Sequence, residues 1–256
     1  MPGWYDGGVT DLAVEAVGRL VSGFERARDP VAAAPMAAYM RHQFEFLGLP
    51  RPARDALQRS AWAGLDRPDS ATLAAVVRAC WERPEREYQY AACDYLIRHQ
   101  AVAAVDPGLI DIVRELVTSK SWWDTVDALA SRVAGPLVAR DPGLVATMRA
   151  WGGDPNVWVA RTALLHQLHY KDRTDAALLF ELCERRAGDR EFFIRKAIGW
   201  ALREYSKTDA DAVRGFVRDH AGGLSGLSQR EALKWLERRR PPVDADRARR
   251  ETRAGQ

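Results

Sequence analysis

Trp123 and Asp127 stand four residues apart in the run Ser121-Trp-Trp-Asp-Thr-Val-Asp127, so on a helix an indole and a carboxylate point the same way. A carboxylate beside an electron-rich ring can cradle a cation that develops during a reaction. The pattern also fits a plainer arrangement, in which Asp127 caps a helix or pairs with an arginine while Trp123 packs. A second constellation runs through Phe193, Lys196, Trp200, Arg203 and Lys207 at alternating spacings of three and four, which is one stripe of a helix. Three cations are not buried without partners, so this stripe is expected to face water or a ligand. Aromatic rings interleaved with cations suit a polyanion carrying flat bases. An ordinary solvated face, with Phe193 and Trp200 tucked under a neighbouring helix, fits equally. Arg161 is the third candidate, because its helical neighbours Val157, Leu164 and Leu165 are apolar. Its stem is expected on hydrophobic surface with the guanidinium emerging at an edge, suited to a phosphate or to a salt bridge between repeats.

Other chemistry has less support. His166 and His169 share a helical face, but without a carboxylate or cysteine nearby packing is the expected role rather than metal binding. Glu85, Glu87 and Asp94 read as a solvated charged face. There is no glycine-rich phosphate loop and no GxSxG or Cys–His signature, and no cofactor is expected. Cys80, Cys93 and Cys183 are odd in number and lack CxxC spacing, which argues against a disulfide framework or a zinc site and for a reducing cytoplasm. No uninterrupted apolar stretch is long enough to span a membrane, and the first residues carry no secretory pattern. The net charge is +3. From Arg238 onward seven arginines face only Asp244, Asp246 and Glu251, so the body before that tail is close to neutral. Any nucleic-acid surface must then be a local patch.

The elements that position these residues read as helices. Asp29-Pro30, Asp106-Pro107, Asp141-Pro142 and Asp154-Pro155 each place an N-cap acceptor before a proline that suits a first helical turn. Ser228-Gln-Arg-Glu231 reads as a capping box opening a short helix with Leu233 and Trp235. Apolar residues recur at three and four, as in Leu109, Ile112, Val113, Leu116 and Val117. Ile194, Ala197, Ile198, Ala201, Leu202 and Tyr205 form the expected buried face behind the Phe193 stripe. The segments beginning at Arg86, Lys120, Asn156 and Glu191 align at offsets of 34, 36 and 35 residues, each with an aromatic at its third position: Tyr88, Trp122, Trp158 and Phe193. A mid-thirties period with two helices per unit is the mark of an α-solenoid. The expected organisation is an all-α, single repeat domain over residues 11–237, after a flexible N-terminus (1–10) and before a basic, disordered tail (238–256).

Five fragments then combine. Met36-Ala-Ala-Tyr-Met40, Trp81-Glu-Arg-Pro-Glu-Arg-Glu87, Thr118-Ser-Lys-Ser-Trp-Trp-Asp-Thr-Val-Asp127, Asn156-Val-Trp-Val-Ala-Arg161 and Lys196-Ala-Ile-Gly-Trp-Ala-Leu-Arg-Glu-Tyr205 resemble the AlkD-type alkylpurine DNA glycosylases, in order and from about residue 20 to residue 237. The resemblance implies stacked HEAT-like helix pairs with a concave DNA-binding groove. It implies that Trp123, Asp127 and Trp200 surround the sugar of the lesion nucleotide as the catalytic set. It places Arg161 among the DNA contacts and Tyr39 and Phe193 along the groove. Lys196, Arg203 and Lys120 are expected as phosphate contacts. The implied reaction is hydrolysis of the N-glycosidic bond of a purine alkylated at N3 or N7, in duplex DNA, without flipping the base into a pocket. The implied enzyme is a cytoplasmic bacterial monomer needing no metal and no membrane, associated with the nucleoid through DNA. A self-resistance enzyme for bulky minor-groove adducts, a non-catalytic binder of DNA structures, or a protein scaffold would use the same repeats.

Overall fold

Helix follows helix through the residues described by the computed structural model, 11–100, 106 and 108–238. Among them no strand forms, and one isolated parallel bridge joins Glu45 to Glu85. The expected N-terminal segment 1–10, the tail beyond Arg238 and Pro107 lie outside the described residues. The order is α1 (Asp11–Arg26), α2 (Pro30–Tyr39), α3 (Arg51–Ala61), α4 (Ser70–Glu82), α5 (Arg86–Arg98), α6 (Leu109–Thr118), α7 (Trp123–Leu129), α8 (Gly135–Arg140), α9 (Leu144–Gly152), α10 (Val157–Leu165), α11 (Ala176–Arg185), α12 (Phe192–Tyr205), α13 (Ala210–Asp219) and α14 (Gly226–Glu237). The chain divides between Leu144 and Val145 into two compact units.

In the first unit α1 packs on α3 and α4, α4 on α5 and α6, and α7 on α5 and α6. In the second, α10 packs on α11 and α12, and α12 packs on α11, α13 and α14. Helices meeting neighbours in chain order are the pattern of an α-solenoid. The apolar periodicity lands as expected. Leu109, Ile112, Val113, Leu116 and Val117 are buried along α6, and Ile194, Ala197, Ile198, Ala201 and Leu202 along α12, while Tyr205 at the end of that expected face is only half-buried.

The helix starts are mixed. Asp29 caps α2, accepting from the amides of Val31 and Ala32 at 2.9 and 3.2 Å. Asp154 instead bends the approach to α10, accepting from Asn156 N, and Asn156 is the cap that receives Trp158 N. The expected capping box at Ser228 is corrected. α14 begins at Gly226 under the cap Ser225, and Ser228 sits inside its first turn. Ser228 Oγ donates across to Arg195 O on α12 at 2.9 Å, and Glu231 turns to cations on α12 rather than back to an amide.

Between α7 and α8 the helix does not stop. Residues 130–134 form a π turn in which Gly135 N–H reaches Ala130 O, five residues back. Pro136 explains it: proline has no N–H to donate, and in an α-helix its ring would strike the carbonyl four residues before, that of Arg132. The freed Arg132 carbonyl accepts from Gln100 Nε2 at 2.6 Å.

Candidate active site

Trp123 is the first residue of α7, and what fixes it is a buried arginine on α5. The Arg86 guanidinium is fully buried and forks onto Asp124 at 2.6 and 3.0 Å. It also donates to Thr125 Oγ1 at 2.9 Å and to Lys120 O at 2.8 Å. Tyr90 Oη adds a 2.7 Å bond to Asp124, and the Phe44 ring covers the guanidinium at 3.8 Å. Lys120 adopts a left-handed backbone (φ 48°), a conformation costing roughly 1–2 kcal/mol for a residue with a Cβ. The bond from Arg86 to its carbonyl holds it there. The entry to α7 is thus aimed from below before any ligand arrives.

Tyr39 ends α2, and its position is also set from α5. Glu87 is fully buried and accepts three backbone amides, Leu47 N, Gly48 N and Leu49 N, at 2.9, 2.9 and 3.0 Å. Gly48 has φ 90°, and a Cβ there would meet Asp29 O at 2.0 Å, so only glycine lets this return loop press against the start of α2. The Tyr39 ring then stands edge-on to Trp123, centroids 6.3 Å apart at 78°. Tyr39 is 72% exposed, while Trp123 and Asp127 are half-buried. Asp127 follows Trp123 by four residues on α7, so ring and carboxylate share a face. An exposed ring edge-on to a half-buried indole, with a carboxylate one helical turn further on, makes an electron-rich wall that suits a positively charged ligand.

In the second unit the stripe on α12 takes shape differently from expectation. Lys196 Nζ lies 3.0 Å and Arg203 Nη1 2.7 Å from the same carboxylate, Glu231 of α14. Lys207 pairs with Glu204 at 2.6 Å. The stripe therefore lies off the core, as expected, but each of its three cations is part-exposed and paired with an acid. Two of them are pinned by one acid that the sequence reading had assigned to a cap. Gly199 makes this possible, since a Cβ there would lie 2.5 Å from Glu231 Cβ and 2.9 Å from Ser228 O. The glycine inside Ala-Ile-Gly-Trp lets α14 close on α12, and Trp200 beside it remains half-buried.

Arg161 is also corrected. It is 4% exposed, and its Nη1 donates to Phe193 O at 2.5 Å, at the start of α12, instead of emerging at an edge. Phe193 lies against Trp158 at 4.8 Å, one of the repeat aromatics on the next. Lys120, expected on phosphates, directs Nζ at Trp81 O and Arg83 O, 2.6 and 2.5 Å away at the end of α4. That is the end of a helix where a cation complements exposed carbonyls. Burial, followed by the nearby Arg86, lowers its pKa. The charged face expected at Glu85, Glu87 and Asp94 is corrected too: Glu85 pairs with Arg28 at 2.5 Å, Glu87 is the buried loop clamp, and Asp94 accepts from Gln58 at 3.2 Å.

His166 is buried, with Nδ1 2.6 Å from Ala163 O, and burial pushes its pKa down to about 4. Among the described residues no group of three or more His, Cys, Asp or Glu side chains could hold a metal ion, and no helix is long and apolar enough to cross a membrane. Sequence reasoning missed Arg86, Glu87 and Glu231. The available signal was a charged residue at an otherwise apolar helical phase, as at Arg86 ahead of Tyr90, Cys93 and Ile97.

Comparison with known proteins gives the family. A family model described as "DNA alkylation repair enzyme" matches residues 20–236. A solved structure described as "Predicted DNA alkylation repair enzyme from Enterococcus faecalis" is 37% identical and superposes with a TM-score of 0.73, over 82% of this chain and 96% of that one. No curated protein matches.

Proposed function

The chain belongs to the DNA alkylation repair enzyme family, and on that premise we propose that it is a monofunctional glycosylase that removes cationic N3- or N7-alkylated purines from duplex DNA. The observation that carries the proposal is the wall formed by Tyr39, Trp123 and Asp127 in the first unit, two rings edge-on at 6.3 Å beside a half-buried carboxylate.

An alkylated purine already carries positive charge, so it needs no strong acid to leave. The bond from C1′ to the purine nitrogen breaks with its electron pair going to the base, which departs neutral, and positive charge appears on the sugar. Asp127 opposes that charge and orients a water whose oxygen bonds to C1′, and the proton that the water loses passes to the carboxylate or to solvent. Trp123 and Tyr39 present ring faces to the same cation. The open side of this wall suits engagement of sugar and backbone while the base stays out of any protein pocket. Trp200 is proposed as a further sugar-facing ring. Phe193 remains a candidate groove residue, and Lys196 and Arg203 candidate phosphate contacts that Glu231 holds in place. Arg161 and Lys120, turned onto backbone carbonyls, are better assigned to positioning α12 and α4 than to direct contact.

The purified chain should release 7-methylguanine or 3-methyladenine from alkylated duplex DNA. Asp127→Asn should lower excision by roughly 10²–10³-fold, the scale of losing a preorganised electrostatic group, while duplex affinity holds. Full excision by Asp127→Asn would remove the carboxylate from the mechanism, and binding without any base release would favour a non-catalytic reader of DNA structure. A panel setting methyl adducts against bulky N3-adenine adducts would define the lesion range.

A further inference from the structure

α2 ends on Tyr39, and the turn that follows is one that glycine would serve better. Arg41 N donates to Ala38 O at 3.0 Å and His42 N to Ala37 O at 2.8 Å, the paired return bonds that close a helix through a left-handed residue. Arg41 fills that left-handed position at φ 55°, and His42 repeats it at φ 55°. Glycine dominates there because a Cβ crowds the following carbonyl oxygen. Histidine enters the region more readily than most side chains, and arginine has no such preference. The chain thus accepts backbone strain to carry an arginine two residues beyond the exposed ring of the candidate site.

Nothing in the fold offsets that strain. Arg41 is exposed, and among the described residues its guanidinium makes no ion pair and no hydrogen bond. A cation at a helix C-terminus often serves the last carbonyls. Here the carbonyls of Met36, Ala37, Ala38 and Met40 are already taken by backbone amides. α2 itself carries no charge, and its exposed residues Pro30, Val31, Ala34, Pro35, Ala38 and Tyr39 recur along one apolar face. Arg41 therefore stands at the end of an uncharged surface that leads to the wall. The wall needs such a cation. Asp127 attracts positive charge, but each nucleotide of DNA also brings phosphates, which a carboxylate repels. Lys120, the cation ahead of Trp123, is tied to Trp81 O and Arg83 O, and Arg86 is tied to Asp124. Arg41, beside Tyr39, remains untied.

We propose that Arg41 is a positioning residue that grips a backbone phosphate next to the lesion nucleotide, so that the sugar is set against Tyr39, Trp123 and Asp127. The inference rests on the reading that DNA lies at this wall, and it adds the contact that holds it there. A guanidinium fork takes two phosphate oxygens at once and reads no base, so the contact fixes register without selecting sequence. The uncharged face of α2 offers phosphate no competing partner, which confines the grip to the end of the helix.

The test uses the full chain and a short duplex carrying one tetrahydrofuran abasic residue, whose sugar can sit at the wall. Affinity is measured by fluorescence anisotropy across a series of salt concentrations. Arg41→Gly and Arg41→Asn both suit a left-handed backbone, so they remove the charge and keep the turn. Each should weaken binding about three- to tenfold at low salt and lower the slope of log K against log salt by about 1. Arg41→Lys, which keeps the charge, should restore the slope. Urea unfolding gives a readout of the strain: the midpoint of Arg41→Gly should equal or exceed that of the native chain. The proposal is overturned if the Gly and Asn variants bind with native affinity and slope, or if Arg41→Lys loses as much slope as they do. It is also overturned if Arg41→Gly lowers the urea midpoint, because the arginine would then serve the fold. Base release by the native chain is scored separately. Excision with a slope indifferent to Arg41 sinks this contact alone, and Arg41-dependent binding without base release sinks the glycosylase reading alone.

Discussion

Arg86 and Glu87 are sequence neighbours with opposite charge, and each holds a different half of the proposed catalytic wall. Arg86 serves Trp123 and Asp127 through Asp124, and Glu87 serves Tyr39 through the Leu47–Leu49 amides. Removing one partner of a buried ion pair strands the other, so Arg86→Met is expected to cost about 3–5 kcal/mol in urea unfolding. Arg86→Lys should recover little of it, because an ammonium cannot reproduce the fork to Asp124, Thr125 and Lys120 O. A loss below about 1 kcal/mol would show that Asp124 is solvated rather than stranded. Glu87→Gln keeps the shape but trades one acceptor oxygen for a donor facing amide donors, for a loss of about 1–3 kcal/mol. Neither role was legible from pattern. Trp123 and Asp127 announce themselves by a spacing of four. Glu87 reads as surface because the three amides that satisfy it lie some 40 positions earlier, and nothing local reveals them.

At the scale of elements, periodicity carried further. The buried faces of α6 and α12 follow directly from apolar spacing, since a helix shows its neighbours a fixed stripe. What periodicity could not show is how close two helices come. Gly199 sits where α12 and α14 touch, and the approach it permits brings Glu231 between Lys196 and Arg203. Gly199→Ala should gain helix propensity yet lose about 1–3 kcal/mol through overpacking. Thermal melting will check the sign, and an unchanged or raised Tm would mean that α14 yields freely. The misread at Ser228 has the same origin. Ser-x-x-Glu spacing describes a cap, and in this fold the serine and the acid are both diverted to α12 by that contact.

For the molecule as a whole, the repeat offsets near 35 made the all-helical, stacked architecture legible, because each repeat contributes one supersecondary unit. The division at Leu144 was not legible, as no linker composition marks it. A global consequence follows from His166. Its folded pKa of about 4 lies below the 6.5 of an ordinary imidazole, so on acidification the unfolded chain takes the proton first. Its contribution is complete above pH 6.5 and is lost progressively as pH falls toward 4. Urea midpoints measured across that window should decline, and His166→Phe should flatten the decline. An identical slope in the variant would show that this imidazole does not titrate on unfolding.

The π turn at 130–134 carries a last consequence, best counted in codons. A five-residue turn where the rest of the helix uses about four is a one-residue insertion that the chain absorbs at a single point. The helical phase before it, which aims Trp123 and Asp127, is thereby uncoupled from the phase after it, which buries Leu137 and Val138. Deleting one codon there together with Pro136→Ala would restore an unbroken helical count on both sides, so the frame of the catalytic face and the frame of the core can be edited independently.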